Sequence, residues 1–447
     1  MSKLKNKLKT WSILQLIVGG FSTVILTGTL LLMLPISTQT GEITPFLDAL
    51  FTATSATCVT GQVTLNTAAH WSYFGKTVII TMIEIGGLGF MTVIVLLFFF
   101  IGKKLNIKQR KVVSESLNLD SISEASDLVK YVIRFAVVVQ IGGALLLSID
   151  FLPRFGLWKG IYFSLFHSIS AFCNAGFDLF GDSLISFQSN PLVLLTISSL
   201  IIIGGLGFIV WRDLLTFKRN KKLLLHTRIV VIITSILLVG SFLLLFMSET
   251  KNGTFSSLSL GDRIINVWFM AVTPRTAGYA NIDYMMVSKF GILLTIILMF
   301  IGGSSGSTAG GVKVTSIAVI AIYLVKAMRG EEPVYNHRTI PIERVKRSLM
   351  LVAMGITVVS VSALILTATE TIPAGVGIEY ILVEVFSCFG TVGLTMGLTP
   401  HLTAIGKLVL IFLMFVGRIG LITFFWSFKP TNKDQKIRYP EGNVLVG

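Results

Sequence analysis

Four short stretches of this chain can be laid on one another: VTGQ (59–62), NAGF (174–177), TAGY (276–279) and TVGL (391–394), each with glycine in third place. Each follows a semi-apolar segment of about fifteen residues, too short to cross a bilayer: PFLDALFTATSATC, WKGIYFSLFHSISAFC, GDRIINVWFMAVTPR and GIEYILVEVFSCFG. Ten residues before each glycine stands a large apolar residue, Phe51, Phe166, Trp268 or Val383. A second landmark follows each first one: IGGLGF (85–90), IGGLGF (203–208), IGGSSG (301–306) and VGRIGL (416–421), each inside a long apolar run. One such tetrapeptide carries no information. Four in register, each with a matching partner downstream, mean one unit repeated four times.

The setting of that unit is a membrane. Of 447 residues, 53% are hydrophobic and 13% charged, and mean hydropathy is +0.82, outside the soluble range. Apolar runs long enough to cross the roughly 30 Å of hydrocarbon recur along the chain. The N-terminal run is too long for a signal peptide and has no small-residue cleavage site, so it reads as a retained span. Each quarter then reads as span, re-entrant helix, glycine turn, span. The expected fold is an all-α integral membrane protein with eight transmembrane helices around one pore. Its units are residues 1–102, 103–219, 220–330 and 331–430, with a tail at 431–447.

Net charge is +15, and the basic residues cluster at 3–9, 103–111, 212–228, 326–347 and 429–438, at every second polar connection. That pattern places these connections and both termini on the cytoplasmic side. The intervening loops have mixed charge, with Glu42, Asp48, Asp178, Asp182, Glu249 and Glu370. A basic excess can also mean nucleic acid, but charge confined to juxtamembrane loops favours anionic lipid headgroups, and no nucleic-acid partner is expected. Cys58, Cys173 and Cys388 allow at most one disulfide, and nothing in their placement suggests one.

Four re-entrant helices ending in turns can converge only on a central axis, where backbone may leave helical geometry because it lines a polar path. Glycine supplies the positive φ that lets successive carbonyls point inward. Carbonyl rings replace a cation's hydration shell, and helix C-termini add a negative dipole. No acidic ring occurs at these positions, which favours a monovalent ion over calcium or magnesium. The expected ligating segments are Val59, Thr60 and Gly61; Asn174, Ala175 and Gly176; Thr276, Ala277 and Gly278; and Thr391, Val392 and Gly393. Helix packing is the competing account of the glycines, and it serves the second landmarks better than the first.

TVGL and TAGY resemble degenerate forms of the T-V-G-Y-G potassium filter. The fourfold span–loop–span unit, over essentially the whole chain, resembles the superfamily of potassium transporters that includes the Trk, Ktr and plant HKT proteins. Length, the compact N-terminus and the C-terminal RYPEGNVLVG look most like the membrane subunit of a bacterial Ktr system. The resemblance implies potassium uptake at the plasma membrane, with K+ as transported ion, no covalent cofactor, and a homodimer of two separate pores. It also implies a cytosolic ring of nucleotide-binding regulatory subunits (ATP/ADP or NAD-type) docked on the basic face. Family members with serine in the first quarter tend to pass sodium, so Gly61 points to potassium; a sodium-permeable relative is the alternative. Gln62 and Asn174 depart from the other quarters and imply a less symmetric filter. Na+ dependence and symport are not legible.

The third quarter's last apolar stretch, about 286–324, would be roughly 58 Å long as one helix, twice what a bilayer needs. The segment GGSSGSTAGGVK (302–313) interrupts it, and the other quarters are expected to keep intact helices at the matching point. By the same resemblance, this segment is an intramembrane gate just inside the filter: Gly302, Gly303, Ser304, Ser305, Gly306, Ser307, Thr308, Ala309, Gly310, Gly311 and Lys313. It is not a phosphate loop, because Lys313 comes one place late. A plain glycine hinge is the competing reading. Arg418, in mid-span, costs about 2.5–3.5 kcal/mol to insert unless partnered. Carbonyls and hydroxyls of Ser304, Ser305, Ser307 and Thr308 are its expected partners, which would make it the lock of the gate.

The remaining polar residues are read as structural: Glu84 in an inter-helix hydrogen bond, His167 and Glu384 as anchors nine residues before their glycines, and Arg275 as a brace behind the filter. There is no H-E-x-x-H, no G-x-S-x-G and no acidic pair in a catalytic context, so no catalytic residue is assigned.

Overall fold

The computed structural model describes residues 13–89 and 125–428. The basic clusters at 3–9, 103–111 and 429–438, the tail, and the last residue of the first IGGLGF lie outside the described residues.

Quarter one contributes α1 (Ile13–Leu32), the short α2 (Phe46–Cys58) and α3 (Tyr73–Leu88). Quarter two has α4 (Ala125–Phe155), α5 (Leu157–Phe172), α6 (Pro191–Leu206) and α7 (Phe208–Asn220). Quarter three has α8 (Leu225–Asn252), α9 (Leu260–Val272), α10 (Lys289–Phe300) and α11 (Val314–Ala327). A two-residue-per-strand hairpin, β1 (Val334–Tyr335) with β2 (Arg338–Thr339), leads into quarter four. That quarter has α12 (Ile342–Thr369), α13 (Glu379–Gly390), α14 (Ala404–Ile419) and α15 (Leu421–Ser427).

The first helix of every quarter, α1, α4, α8 and α12, is long and apolar enough to cross a membrane unbroken. Each turns apolar side chains outward, as lipid-facing helices must; Leu30, Val138, Leu244 and Leu364 are exposed examples. The chain is a multi-pass, all-α membrane protein with pore loops.

The second span of each quarter behaves differently, and here the sequence expectation fails. Helices α6 and α7 meet at 94° across Gly207, and α14 and α15 at 102° across Gly420. Helix α3 ends at Gly89 with φ +87°, matching φ +97° at Gly207 and +94° at Gly420. A helix that ends at a positive-φ glycine is therefore shared by quarters one, two and four, and the bend described in quarters two and four shows that interruption is not peculiar to quarter three. Only glycine adopts that φ at low cost, and hydropathy runs on unbroken through it. What is peculiar to quarter three is the length of the non-helical stretch between α10 and α11.

The quarters close on one another in a cycle. Each second span packs on the short helix of the next quarter: α3 on α5, α6 on α9, α10 on α13, and α14 back on α2. Each second span also lies close against the short helix of its own quarter, and small residues permit that approach. A Cβ at Gly86 would strike Thr57 O, one at Gly204 Phe172 O, and one at Gly417 Phe389 O.

Candidate functional site

The four short helices end the same way. In quarters one, two and four the amide just before the glycine donates to a carbonyl five residues back: Thr60 to Ser55, Ala175 to Ser170 and Val392 to Ser387, each at 2.8 Å. This is the hydrogen bond of a Schellman cap, and it needs a left-handed residue one step earlier. Val59 (φ 58°), Asn174 (60°), Thr276 (71°) and Thr391 (50°) occupy that position. The glycine two residues on is also at positive φ: Gly61 +91°, Gly176 +69°, Gly278 +77° and Gly393 +103°. All four turns thus share one pattern of dihedral angles, while in quarter three Ala277 N donates to Thr273 O at 3.0 Å instead. Three of the left-handed residues are β-branched and adopt that region only under strain.

The turns form a closed ring. A Cβ added to Gly61 would meet Ala175 O; added to Gly176, Ala277 O; added to Gly278, Val392 O; added to Gly393, Thr60 O. Each glycine therefore abuts the backbone carbonyl of the next quarter, and the fourth returns to the first. All twelve sequence-designated ring residues are brought together by these turns.

Serines six residues before the glycine, which the sequence reading passed over, carry the second layer. Ser55 Oγ accepts from Gly61 N (3.1 Å) and Ser387 Oγ from Gly393 N (2.9 Å), while Ser170 Oγ donates to Phe177 O (2.9 Å). Quarter three has Val272 there, and Thr273 Oγ1 donates to Tyr279 O instead (2.6 Å). A polar residue at one offset in three quarters was the available signal. The anchors behave as expected. His167 Nδ1 donates to Phe163 O (2.7 Å) and its Nε2 accepts from Leu179 N (3.2 Å). Glu84 accepts from Gln140 Nε2 (2.9 Å) and from the Cys173 thiol (3.3 Å). Asn174 places its amide nitrogen on Ile201 O and Ala171 O and its oxygen on the Thr276 hydroxyl. Arg275 lies buried against α8, with Nη1 3.5 Å from Thr234 O. All three cysteines are buried free thiols.

Against one end of the ring lies the segment between α10 and α11. A Cβ on Gly310 would run into the Thr391 side chain, and Thr308 Oγ1 donates to Phe172 O at 3.1 Å. The segment is a fixed structure rather than a loose linker. Gly302 N donates to Val312 O (2.8 Å) and Val314 N to Gly303 O (3.1 Å), closing its base. Ser304 N and Thr308 N donate to Gly205 O and Gly204 O (3.0 and 3.3 Å), and Phe208 N donates to Gly306 O (2.9 Å), tying it to the bend of quarter two. Lys313 Nζ turns inward onto Ala309 O at 2.6 Å and Gly310 O at 3.4 Å.

Arg418 reaches the same segment from quarter four. Its guanidinium donates to Thr308 O, to Gly86 O and, at 3.0 Å, to Gly87 O. Of its four expected partners only Thr308 takes part, through its carbonyl. The other bonds go to the first-quarter landmark, whose carbonyls are freed because α3 ends there. One arginine thus joins quarters one, three and four.

This arrangement matches known proteins along its whole length. The TrkH model, described as a cation transport protein, matches residues 6–437. NtpJ, a potassium/sodium uptake protein of Enterococcus hirae, is 48% identical, with all of both chains covered. The Ktr system potassium uptake protein B of Bacillus subtilis is 42% identical over 97% of this chain and 96% of its own. Among solved structures, the potassium transporter TrkH from Vibrio parahaemolyticus superposes with a TM-score of 0.71, covering 93% of this chain and 85% of that one at 20% identity. The chain belongs to the TrkH family of cation transport proteins.

Proposed function

We propose that the chain takes up potassium across the plasma membrane, with the four glycine turns as its selectivity filter. The observation that carries this reading is the closed ring in which each glycine abuts the carbonyl of the next quarter. Carbonyls of Val59, Thr60 and Gly61 and their equivalents at 174–176, 276–278 and 391–393 replace the hydration shell of an entering ion. The C-terminal ends of α2, α5, α9 and α13 add a negative potential there. Weakly hydrated K+ needs no carboxylate in such a site. The names of the Enterococcus and Bacillus relatives favour the same ion.

Residues 302–311 with Lys313 form the gate, which obstructs the path at the inner end of the ring, and Arg418 locks it. In this reading the basic loops and both termini face the cytoplasm, following the charge asymmetry. The name of the Bacillus subtilis relative assigns it to a Ktr system; by extension, this chain works as a homodimer beneath which a cytosolic nucleotide-binding ring docks on the basic face. The uneven positions Gln62 and Asn174, together with the potassium/sodium name of NtpJ, favour a second reading in which sodium also passes.

The test is potassium and sodium tracer flux into liposomes holding this chain, beside Gly393→Ser and a variant lacking 304–310. Selectivity lost with Gly393→Ser and flux raised by the deletion support filter and gate. Equal flux of both ions, indifferent to Gly393, removes the filter.

A further inference from the structure

One seam of the ring is built differently from the others. Where Gly393 abuts Thr60 O, quarter four meets quarter one, and the residue after the first-quarter glycine is Gln62. The equivalents elsewhere are Phe177, Tyr279 and Leu394. Gln62 is 1% exposed, and every partner of its carboxamide belongs to quarter four. Its Nε2 donates to Glu384 Oε2 at 2.5 Å and to Leu394 O at 3.3 Å, and its Oε1 accepts from the Cys388 thiol at 2.6 Å. Glu384, fully buried on α13, also accepts from the hydroxyls of Thr395 and Thr399, the latter at 2.9 Å. One carboxylate therefore ties the short helix of quarter four, the chain leaving its glycine, and the residue leaving the glycine of quarter one.

Between quarters two and three the bonds are neutral ones: Tyr279 OH donates to Phe177 O at 3.0 Å, the Thr276 hydroxyl donates to the Asn174 amide oxygen, and Ala280 N donates to Ser183 Oγ at 2.9 Å. A buried carboxyl group that loses a hydrogen-bond partner is destabilised by more than the bond itself contributes. Among the described residues, only at the quarter four–one seam does a carboxyl group bond the side chain that directly follows a ring glycine.

We infer that Glu384 is a positioning residue which, through Gln62, fixes the spacing of Gly61 and Gly393 and thereby sets how well the ring rejects sodium. The inference rests on the filter reading above. Sodium is smaller than potassium, so carbonyls can ligate it closely only if the ring contracts. A clamped seam resists contraction on one side of the ring, while the carbonyls themselves stay the only groups that touch the ion.

The experiment measures potassium and sodium tracer flux of the full chain in liposomes for Gln62→Leu, Glu384→Gln, the exchanged pair Gln62→Glu with Glu384→Gln, and Gly393→Ser. Glu249→Gln, a buried acid at the distant end of α8, is the control for a merely structural loss. Each clamp single variant is expected to lower the potassium-to-sodium ratio about tenfold, the coupling typical of residues in one buried network. The exchanged pair regains the inter-quarter donor and acceptor but loses the Leu394 contact, so the ratio recovers to within about threefold. Gln62→Leu introduces the residue that quarter four itself carries, and keeps the test sound if Glu384→Gln folds poorly. An unchanged ratio in Gln62→Leu and Glu384→Gln, with Gly393→Ser still losing selectivity, overturns the clamp alone. So does an equal fall of both fluxes in these variants, as in the control. An unchanged ratio in Gly393→Ser as well overturns the filter beneath it.

Discussion

At the scale of single residues, the ring depends on conformations that sequence signals only in part. The four glycines were legible because positive φ leaves few alternatives to glycine. Val59, Thr276 and Thr391 were legible as ring members, but nothing in a β-branched side chain announces the left-handed region. Left-handed backbone costs about 1–2 kcal/mol at such a residue, and it persists because the neighbouring quarter and, at Val59 and Thr391, the Schellman bond hold it. Thr391→Gly should therefore leave stability unchanged or raise it by up to about 1 kcal/mol, read by thermal unfolding in detergent, while the potassium-to-sodium flux ratio falls severalfold. A large loss of stability would mean that the threonine side chain, and not the backbone it strains, organises the turn. Arg418 makes the opposite case. The sequence marked it out by the cost of a mid-span charge, but its partners depended on which carbonyls α3 leaves unpaired at Gly86 and Gly87. If it locks the segment, Arg418→Ala should raise potassium flux about tenfold, the equivalent of one charge-assisted bond to Thr308 O. Unchanged tracer flux would reduce Arg418 to a structural strut.

At the scale of elements, a second repeat emerges, of which the sequence reading recorded only Glu249 and Glu370, as loop charge. In quarter four Glu370, at the end of α12, accepts from Thr403 N at 2.9 Å and from its hydroxyl at 2.5 Å, and Thr403 caps α14. In quarter three Glu249, near the end of α8, accepts from the hydroxyl of Ser288 at 2.5 Å, and Ser288 caps α10. In quarter two Asp150 accepts from Asn190 Nδ2 at 2.7 Å, and Asn190 caps α6. Quarter one uses a carbonyl: Ser72, the cap of α3, donates to Ile36 O at 2.6 Å. In quarters two, three and four the unbroken span is thus fastened to the N-terminus of the helix after the ring turn, where an acid also meets the positive end of the helix dipole. The pairing escaped the sequence because its members lie dozens of residues apart. Glu370→Ala leaves the Thr403 amide and hydroxyl without their acceptor and should cost about 2 kcal/mol, visible as a lowered unfolding temperature, with the ion ratio of the surviving protein unaltered. A changed ratio would show that the fastening also sets the ring. The bends at Gly207 and Gly420 were missed for a related reason: hydropathy measures how long an apolar run is and says nothing of its direction.

At the scale of the whole molecule, the repeat count fixed the number of quarters, but only the packing of each second span on the next short helix determined that they follow one another around the ring in chain order. Which face of the ring meets the cytoplasm is a separate question, argued from charge. The hairpin turn at Asn336 lies in the basic connection after α11, and Ala374 lies in the connection after α12; both are exposed. Cys58, Cys173 and Cys388 are each fully buried, so native thiols contribute little background to labelling by a membrane-impermeant maleimide. With the positive face inward, Ala374→Cys should label in intact cells, whereas Asn336→Cys should label only in inverted vesicles. The two positions lie at opposite ends of α12, an unbroken span, so they must label from opposite sides if that helix crosses the membrane. Labelling of both from one side would remove α12 as a span and with it the fourfold topology. Labelling from opposite sides in the reverse sense would keep the topology and turn the gate segment to the outer side of the filter.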